Sequence, residues 1–319
     1  MLNKSEYFEP IDPDEKNDEF IAIESKSFFK DVCERFVKNK RAMIALVIFL
    51  IIALMAIFGP MISPYSYDGM DTAIMNQRPS AAHWFGTDRF GRDLFTRVLY
   101  GARISLMVGI VTAVINTIIG VIYGGIAGYV GGRVDMWMMR LTDILYSIPE
   151  LLYIILIMLI FGSNVRSIII GVCVAGWISM ARMVRSQIIT LKEQEFALAA
   201  FVLGANSRRI LFKHLIVNSL GTIIVTVTLM IPQAIFMEAF LSFVGVGISA
   251  PMASLGTLAQ DARTYLEIFP YQMLFPVAAI CVTIFSLNFI GEGLNSALNP
   301  KGKRYCLLYT SPSPRDGAT

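Results

Sequence analysis

The chain has 319 residues, 55% of them hydrophobic and only 16% charged, with 27 Lys and Arg against 24 Asp and Glu for a formal net charge of +3. Soluble domains carry about 25% charged residues, so this composition excludes an ordinary soluble domain and points to a polytopic membrane protein. A net charge this small gives no basis for nucleic-acid binding.

Residues 1–27 read as a polar N-terminal tail, and residues 28–65 as a segment carrying the first span. A bilayer core of about 30 Å requires about 20 apolar residues of helix, and residues 42–62 supply 21 without a charge. This span begins about forty residues into the chain, lacks a small-residue cleavage site and is followed by five more, as in a retained anchor rather than a secretory signal. Residues 66–103 form an external loop containing "HWFGTDRFGRD", read as a turn entering an interfacial helix. Within it, Asp88 with Arg92 and Arg89 with Asp93 are spaced as i,i+4 partners on a short surface helix.

Residues 104–303 hold five further spans at 104–130, 144–161, 167–181, 222–246 and 273–290. The 167–181 span is short, and Arg166 and Arg182 at its ends have stems long enough to reach the interfaces. Along the second span run Gly109, Ala113, Thr117, Gly120, Gly124 and Gly128, a small-residue row that lets helix backbones touch, within the bundle first and at a partner interface second. In the fifth, Pro232 removes a backbone donor and kinks the helix. Six residues on, Glu238 either lines a pathway or makes structural hydrogen bonds, because a carboxylate in a span needs partners or water. Glu150 after Pro149, and Asn288, are weaker pathway candidates than Glu238 and read first as packing or interface residues.

Cytoplasmic loops retain Lys and Arg. With the N-terminus inside, 17 of these residues fall inside, in groups at 26–41, 133–140, 182–213 and 301–304, against seven outside. Five of the seven, Arg78, Arg89, Arg92, Arg97 and Arg103, lie in the first external loop. Both termini and the 192–218 loop are thereby expected in the cytoplasm.

No catalytic or nucleotide motif is present: there is no G-x-x-x-x-G-K-[ST], H-E-x-x-H or G-x-S-x-G. His83 and His214 are assigned to opposite sides of the membrane and cannot share a metal. Cys33, Cys173, Cys281 and Cys306 have no C-x-x-C spacing, so neither a metal cluster nor a disulfide framework is expected. "CLLYTSPSPRD" resembles the translation of a sequencing adapter, and residues 306–319 are set apart from fold reasoning.

The loop at 192–218 is the most distinctive segment. Residues 192–203 suit a helix whose Ala197, Ala199 and Ala200 keep its surface low, Gly204 permits a sharp turn, and Asn206 or Ser207 can cap a second helix running toward His214. Two short helices with a small-residue surface and the basic flank Arg208, Arg209 and Lys213 suit a groove on another protein, or lie on the membrane as basic loops do.

Glu195, Ala199, Ala200 and Gly204, followed by His214 and Asn218, resemble the "EAA" coupling loop of permease subunits of bacterial ABC importers. "HWFGTDRFGRDLFTRVLYGARISLMVG", "GGRVDMWMMRLTDILYSIPELL", "EAFLSFVGVG" and "LNP" are similar to the dipeptide, oligopeptide and nickel group of that superfamily, over about residues 28–303. The N-terminal segment resembles the second of the group's two permease types. Val217 stands where the loop usually has proline, and Leu255, assigned to an external loop, stands where tryptophan is common.

The resemblance implies an all-α membrane protein of six transmembrane helices, with type I ABC importer permease architecture and a cytoplasmic coupling helix. Glu195, Ala199, Ala200, Gly204 and His214 would contact the ATPase, and Glu238 is the pathway candidate. Expected partners are a homologous permease in a heterodimer, two cytoplasmic ATPase subunits, an extracytoplasmic binding protein and membrane lipid. No cofactor is expected on this chain, ATP being used by the partner subunits. The cargo would be peptide, or nickel or another small solute. The rival class, an ion-coupled secondary transporter, calls for inverted repeats and midplane ion sites, and no internal repeat is found.

Overall fold

The computed structural model describes residues 28–249 and 251–298, and among them every regular element is helical. The N-terminal tail and the adapter-like segment 306–319 lie outside the described residues. Helix α1 (Phe28–Lys38) leads through Asn39 into α2 (Lys40–Ile62), with Asn39 accepting a hydrogen bond from the Ala42 amide at 3.4 Å as N-cap. Most of α2 is exposed to the surroundings. It buries Ala42, Ala45 and Ala56, small residues that admit a neighbouring helix closely.

Helix α3 (Leu94–Val130) has 37 residues, hence a length of about 55 Å at 1.5 Å per residue, and outruns the bilayer. It starts ten residues before the expected span because its polar first turns are partnered. Asp93 caps it, accepting from the Thr96 amide at 2.8 Å, and the Arg97 side chain donates to the Tyr67 carbonyl at 3.1 Å. The expected surface helix around residues 88–93 is absent. That segment is a turn closed by an isolated bridge between Thr87 and Asp93. Asp88 does pair with Arg92 at 2.6 Å, but Arg89 reaches Asp261 at 3.5 Å and Asp93 bonds to His83 at 2.9 Å. Long-range partners outcompete the i,i+4 pairing that spacing alone suggests.

The small-residue row on α3 is an intramolecular contact. A Cβ placed on Gly124 would lie 2.1 Å from the Ala181 carbonyl oxygen, and one on Gly120 2.6 Å from Met180. Both neighbours belong to α7 (Trp177–Lys192), against which α3 packs most extensively.

Two expected spans take different shapes. The 144–161 span is broken: α4 (Gly132–Tyr146) and α5 (Glu150–Phe161) meet at 74° across Ser147–Pro149, since proline cannot continue a helix and biases the residue before it away from helical geometry. The short 167–181 span is the apolar part of a longer run. Helix α6 (Val165–Ala175) joins α7 at Gly176 to give 28 helical residues, whose polar end carries Arg182, Arg185 and Lys192.

After α7 come α8 (Glu195–Val202), α9 (Ser207–Arg209), a π-helical stretch (Ile210–Leu215) and α10 (Ile216–Val244), which with the two preceding pieces forms a 38-residue run. Short α11 (Leu255–Arg263) opens with a capping box between Ser254 and Thr257, and α12 (Tyr271–Leu298) closes the described chain. Among the described residues, five helices or helical runs are long and apolar enough to cross a membrane, and the α4–α5 pair, taken as one bent span, makes a sixth. Leu255 corrects an expectation: it is no loop residue but stands in the first turn of α11, 1% exposed and packed with Leu94, Val98 and Leu258.

Candidate functional site

Two places in this framework are candidates for a functional site. The first is the α7–α8–α9 loop. Lys192, at the end of α7, donates to the Gly128 and Tyr129 carbonyls at 3.3 and 3.4 Å, which fixes the start of the loop on the end of α3. Glu195 lies in the first turn of α8, where a carboxylate favours the helix dipole. Ala197 turns inward, 3% exposed, onto Met180, Val184, Ile188 and Leu211.

Helix α8 ends in a Schellman motif. The Gly204 amide donates to the Phe201 carbonyl and the Ala205 amide to the Ala200 carbonyl, both at 3.0 Å, with Gly204 at φ +82°. The positive φ is why glycine stands there. Asn206 then caps the next turn, its side chain accepting from the Arg209 amide at 2.8 Å.

The outward surface of this hairpin differs from the expected alanine surface. Ala199 is exposed and Ala200 half-buried, but the tip is formed by Phe201, Val202 and Leu203, which are 69%, 82% and 86% exposed. Phe196 and Leu198 extend the same apolar patch, while Arg208, Arg209 and Lys213 flank it. A detectable signal was present in "EFALAAFV": a short helix apolar nearly all round, in a charged loop, has to be covered by something. His214 is half-buried in the π-helical stretch, and its carbonyl accepts from the Asn218 side chain at 2.6 Å. Val217, unlike the proline usual in the resembling loops, retains an amide, and the helix passes through it unbroken into α10.

Helix α7, which leads into the loop, is paired with the first half of the broken span. Arg185 on α7 grips both carboxylate oxygens of Asp135 on α4, and Arg182 pairs with Asp143 at 2.9 Å. Bidentate guanidinium–carboxylate pairs fix orientation as well as distance. These pairs join α7 to α4, whose far end is the bend at Pro149.

The second place is a cavity of about 680 Å³ at that bend. It is lined by Pro149 at the break between α4 and α5, by Gly176 at the α6–α7 joint, and by Pro232, which lies within the continuous helix α10. Irregular backbone at membrane depth is tolerated where it lines a cavity. The polar lining comprises Asn116, Tyr146, Glu150, Ser179, Gln233 and Asn288. Asn116 is 3% exposed, and its side-chain oxygen has no hydrogen-bond partner. Gly176 allows the α6–α7 joint to lie on it, since a Cβ there would stand 2.4 Å from the Asn116 nitrogen.

Glu238 is not among the lining residues. It is fully buried, accepting from Ser105 on α3 at 2.6 Å and from Ser242 one turn along α10 at 2.8 Å, with Ser254 3.4 Å from Ser242. Both of its carboxylate oxygens therefore accept hydrogen bonds from within the chain. Glu150 and Asn288, the weaker pathway candidates of the sequence, both line the cavity.

The family model described as "binding-protein-dependent transport system inner membrane component" matches residues 118–304, and that for the "N-terminal TM domain of oligopeptide transport permease C" matches residues 27–79. The chain is 48% identical over 294 residues to the oligopeptide transport system permease protein OppC of Bacillus subtilis, covering 92% of this chain and 96% of that protein. It is 47% identical to the dipeptide transport system permease protein DppC of the same organism, covering 91% and 92%. To OppC of Escherichia coli K12 it is 45% identical, covering 89% and 95%.

Proposed function

Because the chain belongs to the family of binding-protein-dependent transport system inner membrane components, we propose that it is the permease subunit of an ATP-driven importer that carries oligopeptides or dipeptides across the cytoplasmic membrane. Relatives named for oligopeptide and dipeptide transport support peptide as the cargo. The subunit forms half of the pathway and pairs with a homologous permease. A binding protein delivers peptide from outside, and residues 104–303 form the core permease unit. The chain itself is non-catalytic and holds no cofactor: two cytoplasmic ATPase subunits hydrolyse the ATP. Both termini lie in the cytoplasm, as the Lys and Arg asymmetry requires.

The observation that carries this reading is the uncovered Phe201, Val202 and Leu203 tip on the loop that follows α7, the helix paired with the broken span. Glu195, Ala199, Ala200, Gly204 and His214 shape the two arms of that hairpin, and the tip seats in a groove of the ATPase. When nucleotide closes the ATPase pair, α8 moves with it, and α7 carries the displacement through Arg185–Asp135 and Arg182–Asp143 to the bend at Pro149, a rigid-body switch biased by ligand.

The test is Phe201→Asp combined with Leu203→Asp. Burying a charge where the tip docks costs more than about 1.4 kcal/mol, so association should fall by at least about tenfold. Co-purification of the ATPase subunits with the permease reads this out, and membrane insertion should be unchanged because no span is touched. Normal association together with normal peptide transport would rule out the docking role.

A further inference from the structure

We infer that the cavity at the α4–α5 bend is a peptide-binding station in which Glu150 receives the peptide's N-terminal ammonium while Asn116, Gln233 and Asn288 hydrogen-bond its amide groups. The inference rests on the permease reading and names a site within it. The cavity wall contains one carboxylate and no Lys, Arg or His. Among the described residues, the Glu150 carboxylate has neither an ion-pair nor a hydrogen-bond partner, in contrast to Glu238, both of whose oxygens are used. The side-chain oxygen of Asn116, withdrawn from solvent, is likewise without a partner.

Polar groups at membrane depth are retained where a partner, water or a ligand satisfies them. A peptide has the matching chemistry: one ammonium at one end, and backbone donors and acceptors that carboxamides can pair without regard to side chain. Its volume suits a cavity within the range of about 300–1,000 Å³ usual for small-molecule sites. Apolar Met230, Phe236 and Met237 complete the wall, and flexible methionines accommodate varied side chains. With no cation in the wall, the peptide's carboxylate points out of the cavity. One anchored end and an unselective remainder describe a site for a class of peptides rather than for one sequence.

The experiment uses the complete transporter in proteoliposomes with its binding protein, trialanine as the probe, and peptides imported per ATP hydrolysed as the readout. Glu150→Gln removes a charge-assisted hydrogen bond and should lower that ratio about tenfold, while Glu150→Asp should restore most of it. Glu150→Cys, in a chain lacking the four native cysteines, separates charge from folding in one assembled protein. Reaction with an anionic sulfonatoethyl thiosulfonate should raise the ratio severalfold, and a neutral methyl thiosulfonate should not. Equal ratios after the two reagents, or a wild-type ratio in Glu150→Gln, would overturn the site. Failure of the wild-type transporter to import trialanine with ATP would instead remove the permease reading on which the site depends.

Discussion

Glu238 and Glu150 are both carboxylates set among apolar helices, and their surroundings differ completely. Around Glu238, helices α3, α10 and α11 close on one another, and Ser105 and Ser242 occupy both of its oxygens. Around Glu150, the chain bends between α4 and α5, and among the described residues neither the Glu150 carboxylate nor the Asn116 side-chain oxygen has a partner. A polar residue in a span is thus ambiguous by itself. What separates structural from functional is whether the same chain already satisfies it. The contrast extends to the glycines: Gly124 is pressed against the Ala181 backbone, whereas a Cβ on Gly204 would meet nothing within 4 Å.

The largest effect is expected where the packed region is forced apart. Gly124→Val sets a branched side chain against a carbonyl 2.1 Å from its Cβ, and neither α3 nor α7 backbone can yield. The variant should fail to accumulate in the membrane, as immunoblots of membrane fractions would show. Wild-type levels would mean that α3 and α7 do not pack as described.

Next comes Glu238→Leu, which strands the Ser105 and Ser242 hydroxyls. At about 1–3 kcal/mol for each buried polar group left unsatisfied, the loss is about 2–4 kcal/mol after partial relaxation. Thermal unfolding of the purified subunit in detergent checks it. A variant as stable as wild type but impaired in transport would return Glu238 to the pathway and erase the contrast with Glu150.

Much of this architecture was legible beforehand. Apolar runs gave the spans, and Gly204, Asn206 and the basic flank gave the hairpin, because those signals are local. What was not legible depends on distant chain. Arg97 looks like an exposed external charge, yet it is 2% exposed, held by Tyr67 and lying near Asp88 and Asp261. The bend at Pro149 was concealed by apolar residues on both sides of it. The cavity draws residues from seven helices, a coincidence no periodicity records. Which of Glu238 and Glu150 finds partners depends on Ser105, 133 residues away in the chain from Glu238, and no local pattern records that.

A smaller effect is expected at Gly204. Its surroundings are open, so Gly204→Val is strained only through φ +82°, about 1–2 kcal/mol for a left-handed conformation. The spans should insert normally, while ATPase association weakens as the tip is displaced. Co-purification set beside membrane yield separates the two, and an unchanged association would show that the turn's geometry is immaterial to docking.

Smallest in stability is Arg185→Ala. The pair with Asp135 is partly exposed, and such pairs contribute about 0.2–1 kcal/mol. A double-mutant cycle with Asp135→Ala should nevertheless show coupling in transport that exceeds the coupling in thermal stability. Strictly additive transport losses would mean that α4 does not relay the movement of α7.

The most direct measurement is peptide uptake by the complete complex in proteoliposomes under two driving forces. Uptake with ATP and binding protein while the proton gradient is collapsed is the predicted result. Uptake that follows an imposed ion gradient without ATP would contradict it and make the chain a secondary transporter.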